Sequence, residues 1–173
     1  MKQHMKRKGK GKRIAGILKT KVVEELWKDF AKRNNISDVL PFDKIRVILF
    51  YSNKEYRKWE ARGLVREDNR LDAERKKREE YAKSESDIRD RGYKIEKQVS
   101  VAGCFTALDD NENVVGYEIG INRFSHSGSR RTATEVRNSI LHELLHIVEG
   151  QRGLRSGELV NQFPALILDH EVV

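Results

Sequence analysis

The segment 132–150 constrains the fold of this chain more than any other part of its sequence. At about 100° per residue, a helix here places His142, His146 and Glu149 within about 60° of one another. Thr132 is a suitable cap for its start. A helix that is apolar except for one histidine stripe belongs in a core, with the stripe facing a cavity. The apolar positions are Val136, Ile140, Leu141, Leu144, Leu145, Ile147 and Val148.

The same segment contains the pattern His-Glu-x-x-His, at residues 142–146. Two imidazoles one helical turn apart can bind the same ion, and the glutamate beside the first can deprotonate a water that the metal activates. The pattern therefore predicts a Zn²⁺ site held by His142 and His146. Glu143 is the predicted general base of a hydrolysis reaction.

A third zinc ligand is needed, because a catalytic zinc usually takes three protein ligands and leaves one position for water. Glu158 is the predicted ligand, since Gly150 and Gly153 let the chain reverse and Ser156 can cap a second helix there. Glu149 is a second candidate, although it lies one turn beyond the second histidine on the same helix. Weaker candidates are Cys104, His126, Asp169, His170 and Glu171.

The remaining patterns predict an α+β fold in one domain spanning residues 14–173. We expect a small twisted sheet, mixed or antiparallel, of three or four strands, packed on an N-terminal helix and the motif helix. The predicted elements are a helix from Ile14 to about Asn34, a strand at 45–51, a hairpin of 99–105 and 114–121, and a loop at 123–131.

Two segments are too polar to form a core. Residues 1–13 are more than half Lys and Arg, which predicts a flexible basic arm. Residues 54–97 interleave Glu, Lys and Arg, which predicts an exposed, charged helical insertion. The formal net charge of +8 favours contact with nucleic acid or another polyanion, and the arm is the predicted contact.

The apolar runs are short, the longest being 47–51, so neither a membrane span nor a membrane partner is expected. The basic N-terminus is not followed by the apolar region of a secretory signal. The single cysteine, Cys104, agrees with a reducing compartment. We therefore expect a cytoplasmic protein.

From about Val99 to Leu168 the sequence resembles the zincin metallopeptidases. Gly103-Cys-Phe, Tyr117-Glu-Ile-Gly-Ile-Asn and the 142–146 motif look like the small gluzincins, including the ImmA/IrrE-type and minigluzincin groups. The resemblance implies a zincin-like fold, Zn²⁺ as cofactor and a peptide or protein substrate. It also implies that substrate lies as an extra strand along a rim strand, for which Gly116–Ile121 is in the matching place. Tyr117 and Arg123 lie near the place of an oxyanion partner in sequence.

Other zinc enzymes match less well. Metzincins and SprT-type proteases use a later histidine, whereas Glu149 here stands where metzincins have glycine. Peptide deformylases have a cysteine ligand, which would be Cys104, but their helical motif is one residue longer. A different class of function is a nucleic-acid-binding regulator on a zincin scaffold, in which the basic arm acts and the metal site does not catalyse.

Overall fold

The computed structural model describes residues 15–63, 100–125 and 127–166. In these ranges the chain is a mixed α+β fold with a four-stranded mixed sheet and three helices. The predicted basic arm and residues 64–97 of the predicted insertion lie outside the described residues. Of the helices in these ranges, none is both long and apolar enough to cross a bilayer.

The four strands of the sheet are β1 (Ala15–Ile17), β2 (Ile45–Phe50), β3 (Ala102–Leu108) and β4 (Val114–Asn122). Their order in the sheet is β1-β2-β4-β3. Strands β2 and β4 are parallel, while β1 with β2 and β3 with β4 are antiparallel. The predicted strand at 45–51 and the predicted hairpin are thereby confirmed.

The position of β4 corrects one expectation. Gly116–Ile121 was expected to be a rim strand, but β4 is hydrogen-bonded to β2 on one side and to β3 on the other. A strand that is paired on both sides has no free backbone groups for a further strand. Within the described sheet the edges are β1 and β3, and β3 is the edge strand that packs near the motif helix.

The first helix, α1, spans Thr20–Arg33 and buries Val23, Trp27 and Ala31. Its end at Asn34 agrees with the prediction, but its start does not. Residues 15–17, which fit the apolar spacing of the helix, instead pair with β2. Pairing satisfies backbone groups along β2 that a helix at this place would leave open.

The motif helix, α3, spans Ala133–Arg152. Its start agrees with the prediction, and its end lies about three residues beyond the predicted end. The hydroxyl of Thr132 accepts from the backbone N–H of Glu135 at 3.1 Å. Gly153 ends the helix in the left-handed conformation, with φ of 69°. Helices α1 and α3 cover one face of the sheet and form the main core with it, as expected.

Helix α2, described over residues 53–63, packs on the other face of the sheet. Tyr56 and Trp59 contact Ile48 and Phe50 of β2 in a second, smaller core. Residues 54–63 of the predicted insertion are helical, as expected, but this part is not simply exposed, because Tyr56 and Trp59 are buried. Helix α2 belongs to the fold because its few aromatic residues fall on one side.

The indole of Trp59 lies flat over Gly120, so that a Cβ added at Gly120 would overlap the ring. We expect Gly120→Ala to lower the free energy of unfolding by about 1–3 kcal/mol, because Trp59 is buried and has little room to move. Urea denaturation measures this. Gly150→Ala is the matched control, since nothing lies within 4 Å of its added Cβ, and it should stabilise α3 by up to about 1 kcal/mol. Equal stability of the two variants would contradict the prediction.

Candidate metal centre

The guanidinium of Arg131 fixes α3 relative to the sheet. The side chain is 5% exposed and donates to the backbone carbonyl of Asn122, at the end of β4, at 2.9 Å. It also donates to the carbonyl of Glu135 at 3.3 Å and to the hydroxyl of Ser139, both in the first turns of α3. The helix that carries the histidines is thus held at the carboxyl end of β4 by charge-assisted hydrogen bonds.

His142 and His146 lie against each other with their Nε2 atoms 3.0 Å apart. The two ring planes are nearly perpendicular, at 77°. Two nitrogens bound at 2.0–2.1 Å to a tetrahedral zinc lie about 3.3 Å apart. The histidine pair therefore has close to the spacing that a shared zinc ion requires.

The other nitrogen of each ring shows which atom carries the proton. Nδ1 of His142 lies 2.9 Å from the carbonyl oxygen of Leu166, and a carbonyl can only accept. Nδ1 of His146 lies 2.6 Å from a carboxylate oxygen of Glu149. Both rings therefore donate from Nδ1, and both Nε2 atoms are directed at each other. A proton or a metal ion between the two Nε2 atoms accounts for this arrangement.

Glu149 positions His146 and also organises the chain after α3. It is 1% exposed, and its two oxygens accept from the backbone amides of Gly157 at 3.1 Å, Leu159 at 2.7 Å and Val160 at 3.1 Å. Burial raises the pKa of Glu149, but these amides and His146 outweigh that effect, so the pKa is lowered and the group stays ionised. In the sequence, the only signal that Glu149 could contact His146 is their spacing of three residues on one helix.

The structure does not bring Glu158 together with the histidines. Its side chain is exposed, and one carboxylate oxygen accepts from the backbone amide of Arg155 at 2.8 Å. The helix predicted after Ser156 is replaced by two short 3₁₀ turns, Val160–Gln162 and Pro164–Leu166. As a zinc ligand, Glu158 stays a prediction that requires this turn to open.

Among residues 15–63, 100–125 and 127–166, no third His, Cys, Asp or Glu completes a group of three that could hold a metal with this pair. Cys104 lies in these ranges, and burial is the main cause of its raised pKa, so that its thiol stays neutral. Four weaker candidates for the third ligand lie outside the described residues, namely His126, Asp169, His170 and Glu171.

Glu143 is 5% exposed and follows His142 directly on α3. Its negative charge adds to burial in raising the pKa of Cys104 on β3 and of Tyr56 on α2. The predicted general base is therefore a buried group on α3, next to His142 in sequence.

A cleft of about 440 Å³ opens beside His146, between α3 and the two strands of the hairpin. Tyr117 lines it, and burial raises the pKa of the Tyr117 phenol, which keeps its hydroxyl protonated as a donor. Arg123, the second residue predicted near an oxyanion, lies instead over the ring of Tyr51, at 5.1 Å from the centroid. The remaining lining residues are Cys104, Thr106, Val114, Ile147, Gly150 and Gln151.

The centre thus combines two converging imidazoles, a buried carboxylate next to the first of them and an adjoining cleft. This set of groups offers two of the nitrogen donors that a divalent metal takes, and a carboxylate of the kind that acts as a base toward water. No protein-family model matches the chain, and neither a curated protein nor a solved structure matches it.

Proposed function

We propose that this protein is a zinc-dependent hydrolase of the zincin type, a metallopeptidase. The observation that carries the proposal is the convergence of the Nε2 atoms of His142 and His146 at 3.0 Å. The buried carboxylate of Glu143 beside the pair supports hydrolysis over a purely structural metal.

In this proposal His142 and His146 hold the zinc. When bound, zinc acts as a Lewis acid that polarises the substrate carbonyl and acidifies water. Glu143 accepts a proton from the attacking water and later donates it to the leaving amine. The hydroxyl of Tyr117 can donate to the oxygen on which negative charge develops, as it faces the same cleft as His146.

The edge of β3 supports a peptide as the substrate. Cys104 and Thr106 of β3 line the cleft next to His146, so an extended chain paired with this edge would run past the metal centre. Backbone hydrogen bonds to a sheet edge suit peptides of many sequences, whereas the side-chain cleft would give preference among them. We accordingly propose a peptide or protein segment as substrate, held by β3 in place of the β4 expected from the sequence.

The metal content tests the proposal directly. We expect one zinc per chain by elemental analysis of the purified protein, and severe loss of zinc in His142→Ala and in His146→Ala, because each removes one of two converging ligands. His4→Ala is the matched control, as it removes a histidine from the predicted arm and should leave the metal content unchanged. Full zinc occupancy in the double variant of the pair would exclude this site.

A nucleic-acid-binding regulator on a zincin scaffold is the second candidate function, and it makes a different prediction. It requires the metal centre to be inactive even when zinc is bound. The basic arm at 1–13 that would act in such a regulator lies outside the described residues. Within the described residues, the exposed face of α2 carries a separate group of basic residues that could contact nucleic acid without the metal centre.

A further inference from the structure

We propose that the exposed face of α2 binds the phosphate backbone of double-stranded nucleic acid. One side of this helix is buried through Tyr56 and Trp59. The opposite side lines a single hollow of about 440 Å³. The residues around the hollow are Asn53, Lys54, Arg57, Lys58 and Ala61.

Three cationic side chains line this hollow. Lys54, Arg57 and Lys58 stand three and four positions apart, so they share one face of the helix. The acidic residues nearby neutralise this face only in part. Glu55 pairs with Lys58 at 3.5 Å, and Glu60 is turned toward the sheet, where it accepts from the Tyr56 hydroxyl at 3.0 Å.

The position of the hollow along α2 adds to its preference for anions. It begins at the first turn of the helix, where Ser52 is the cap and where the aligned peptide dipoles place partial positive charge, and it extends along the helix to Ala61. The chain as a whole carries a net charge of +8, which attracts polyanions over a longer range. Phosphate groups are the anions that such a combination of cations, amides and long-range field suits best.

The composition of the face favours duplex nucleic acid over other polyanions. A helix that inserts into a membrane surface carries large apolar residues beside its cations, and in the described ranges the exposed large apolar residues lie on other elements. Single strands are held mainly by stacking on exposed aromatic rings, whereas Tyr56 and Trp59 are buried beneath α2. A duplex needs only cations along its backbone. The exposed large apolar residues are Ile17, Val22, Val39, Val114, Val115 and Leu154.

This surface is separate from the proposed metal centre. Helix α2 covers one face of the sheet, whereas α3 with its histidines covers the other. A duplex bound at α2 therefore leaves the cleft beside His146 open. The inference goes beyond the proposed hydrolase activity, and its test does not depend on that activity.

The test uses the full-length protein and a fluorescently labelled DNA duplex of arbitrary sequence, with anisotropy measured across a salt series. In the triple variant Lys54→Gln, Arg57→Gln, Lys58→Gln we expect the Kd to rise about tenfold or more at low salt. The slope of log Kd against log salt should also fall by about 2–3, since each lost phosphate contact removes about 0.9. Gln retains helix propensity, and circular dichroism verifies that the fold is intact.

The control variant is Lys21→Gln, Lys28→Gln, Arg33→Gln. These three cations lie on α1, with side chains 85%, 69% and 74% exposed, and their loss changes the net charge by the same amount. We expect this variant to weaken binding by less than about threefold, through the general field alone. Equal weakening in the two triple variants would overturn the proposal, and so would unchanged binding in the α2 variant. If the α2 variant loses binding to anionic vesicles while its duplex binding is unchanged, the proposal is overturned and the α2 face is instead a membrane-binding surface.

Discussion

Glu143→Gln is expected to reduce peptide hydrolysis by about 10²–10⁴-fold while the fold and the zinc content stay as in the wild type. The amide is nearly isosteric with the carboxylate but cannot accept the proton of the attacking water. Glu143 is 5% exposed, so the substitution also changes a buried group and its folding must be checked by thermal denaturation. Hydrolysis is measured on a mixed peptide library by mass spectrometry, with zinc determined in the same samples.

Glu25→Gln is the matched control for this experiment. It makes the same chemical change on the exposed surface of α1, where Glu25 is 4.0 Å from Lys21, and it should leave hydrolysis unchanged. Activity of Glu143→Gln within a few-fold of the wild type would exclude Glu143 as the base. Zinc binding by a wild-type protein that cleaves no peptide in the library would instead favour the regulator on a zincin scaffold.

The elements around the candidate site could be predicted from the sequence because their signals are local. Thr132 caps α3 through an amide three residues on, and Gly153 ends it in a conformation that glycine adopts readily. Asp109 closes the hairpin turn by accepting from the amides of Asn111 and Asn113, each at 2.9 Å. Signals of this kind depend on residues within a few positions of one another, so periodicity and turn chemistry detect them.

Strand order and the packing of α2 could not be predicted in the same way, because they depend on contacts between distant segments. Trp59 stands in a highly charged stretch, and its burial depends on Gly120, which leaves room for the indole. Neither residue is informative without the other. The edge strand was assigned to β4 in place of β3 for the same reason. The two strands have similar sequence patterns, and what distinguishes them is that β4 pairs with β2 whereas β3 does not.

The candidate site divides along the same line. His142, Glu143 and His146 could be predicted because helical spacing alone puts two imidazoles one turn apart. The groups that orient the imidazoles could not, since the backbone carbonyl of Leu166 has no side-chain signal. The third ligand was assigned to Glu158 on the assumption of a second helix. The amides of Leu159 and Val160 bind Glu149, and 3₁₀ turns stand in place of that helix.

Glu149→Ala is expected to lower the affinity for zinc by about 10–100-fold, the usual effect of removing a carboxylate that orients a ligating histidine. His146 loses the acceptor that holds its proton on Nδ1, so its ring is free to turn and to change tautomer. The free energy of unfolding should also fall by about 3 kcal/mol or more, because three backbone amides of the 157–160 turn lose their acceptor.

Glu158→Ala, measured in parallel, separates a positioning role of Glu149 from direct ligation by Glu158. In the structure the carboxylate of Glu158 accepts one exposed turn hydrogen bond, from the backbone amide of Arg155, so we expect its removal to change stability by less than about 1 kcal/mol. We also expect its effect on zinc affinity, read from competition with a chromogenic chelator, to be smaller than that of Glu149→Ala. A large loss of zinc affinity in Glu158→Ala, with little loss in Glu149→Ala, would show that the 155–158 turn opens and delivers Glu158 to the metal. Comparable large losses in both variants would show that Glu149 orients His146 while Glu158 binds the ion directly.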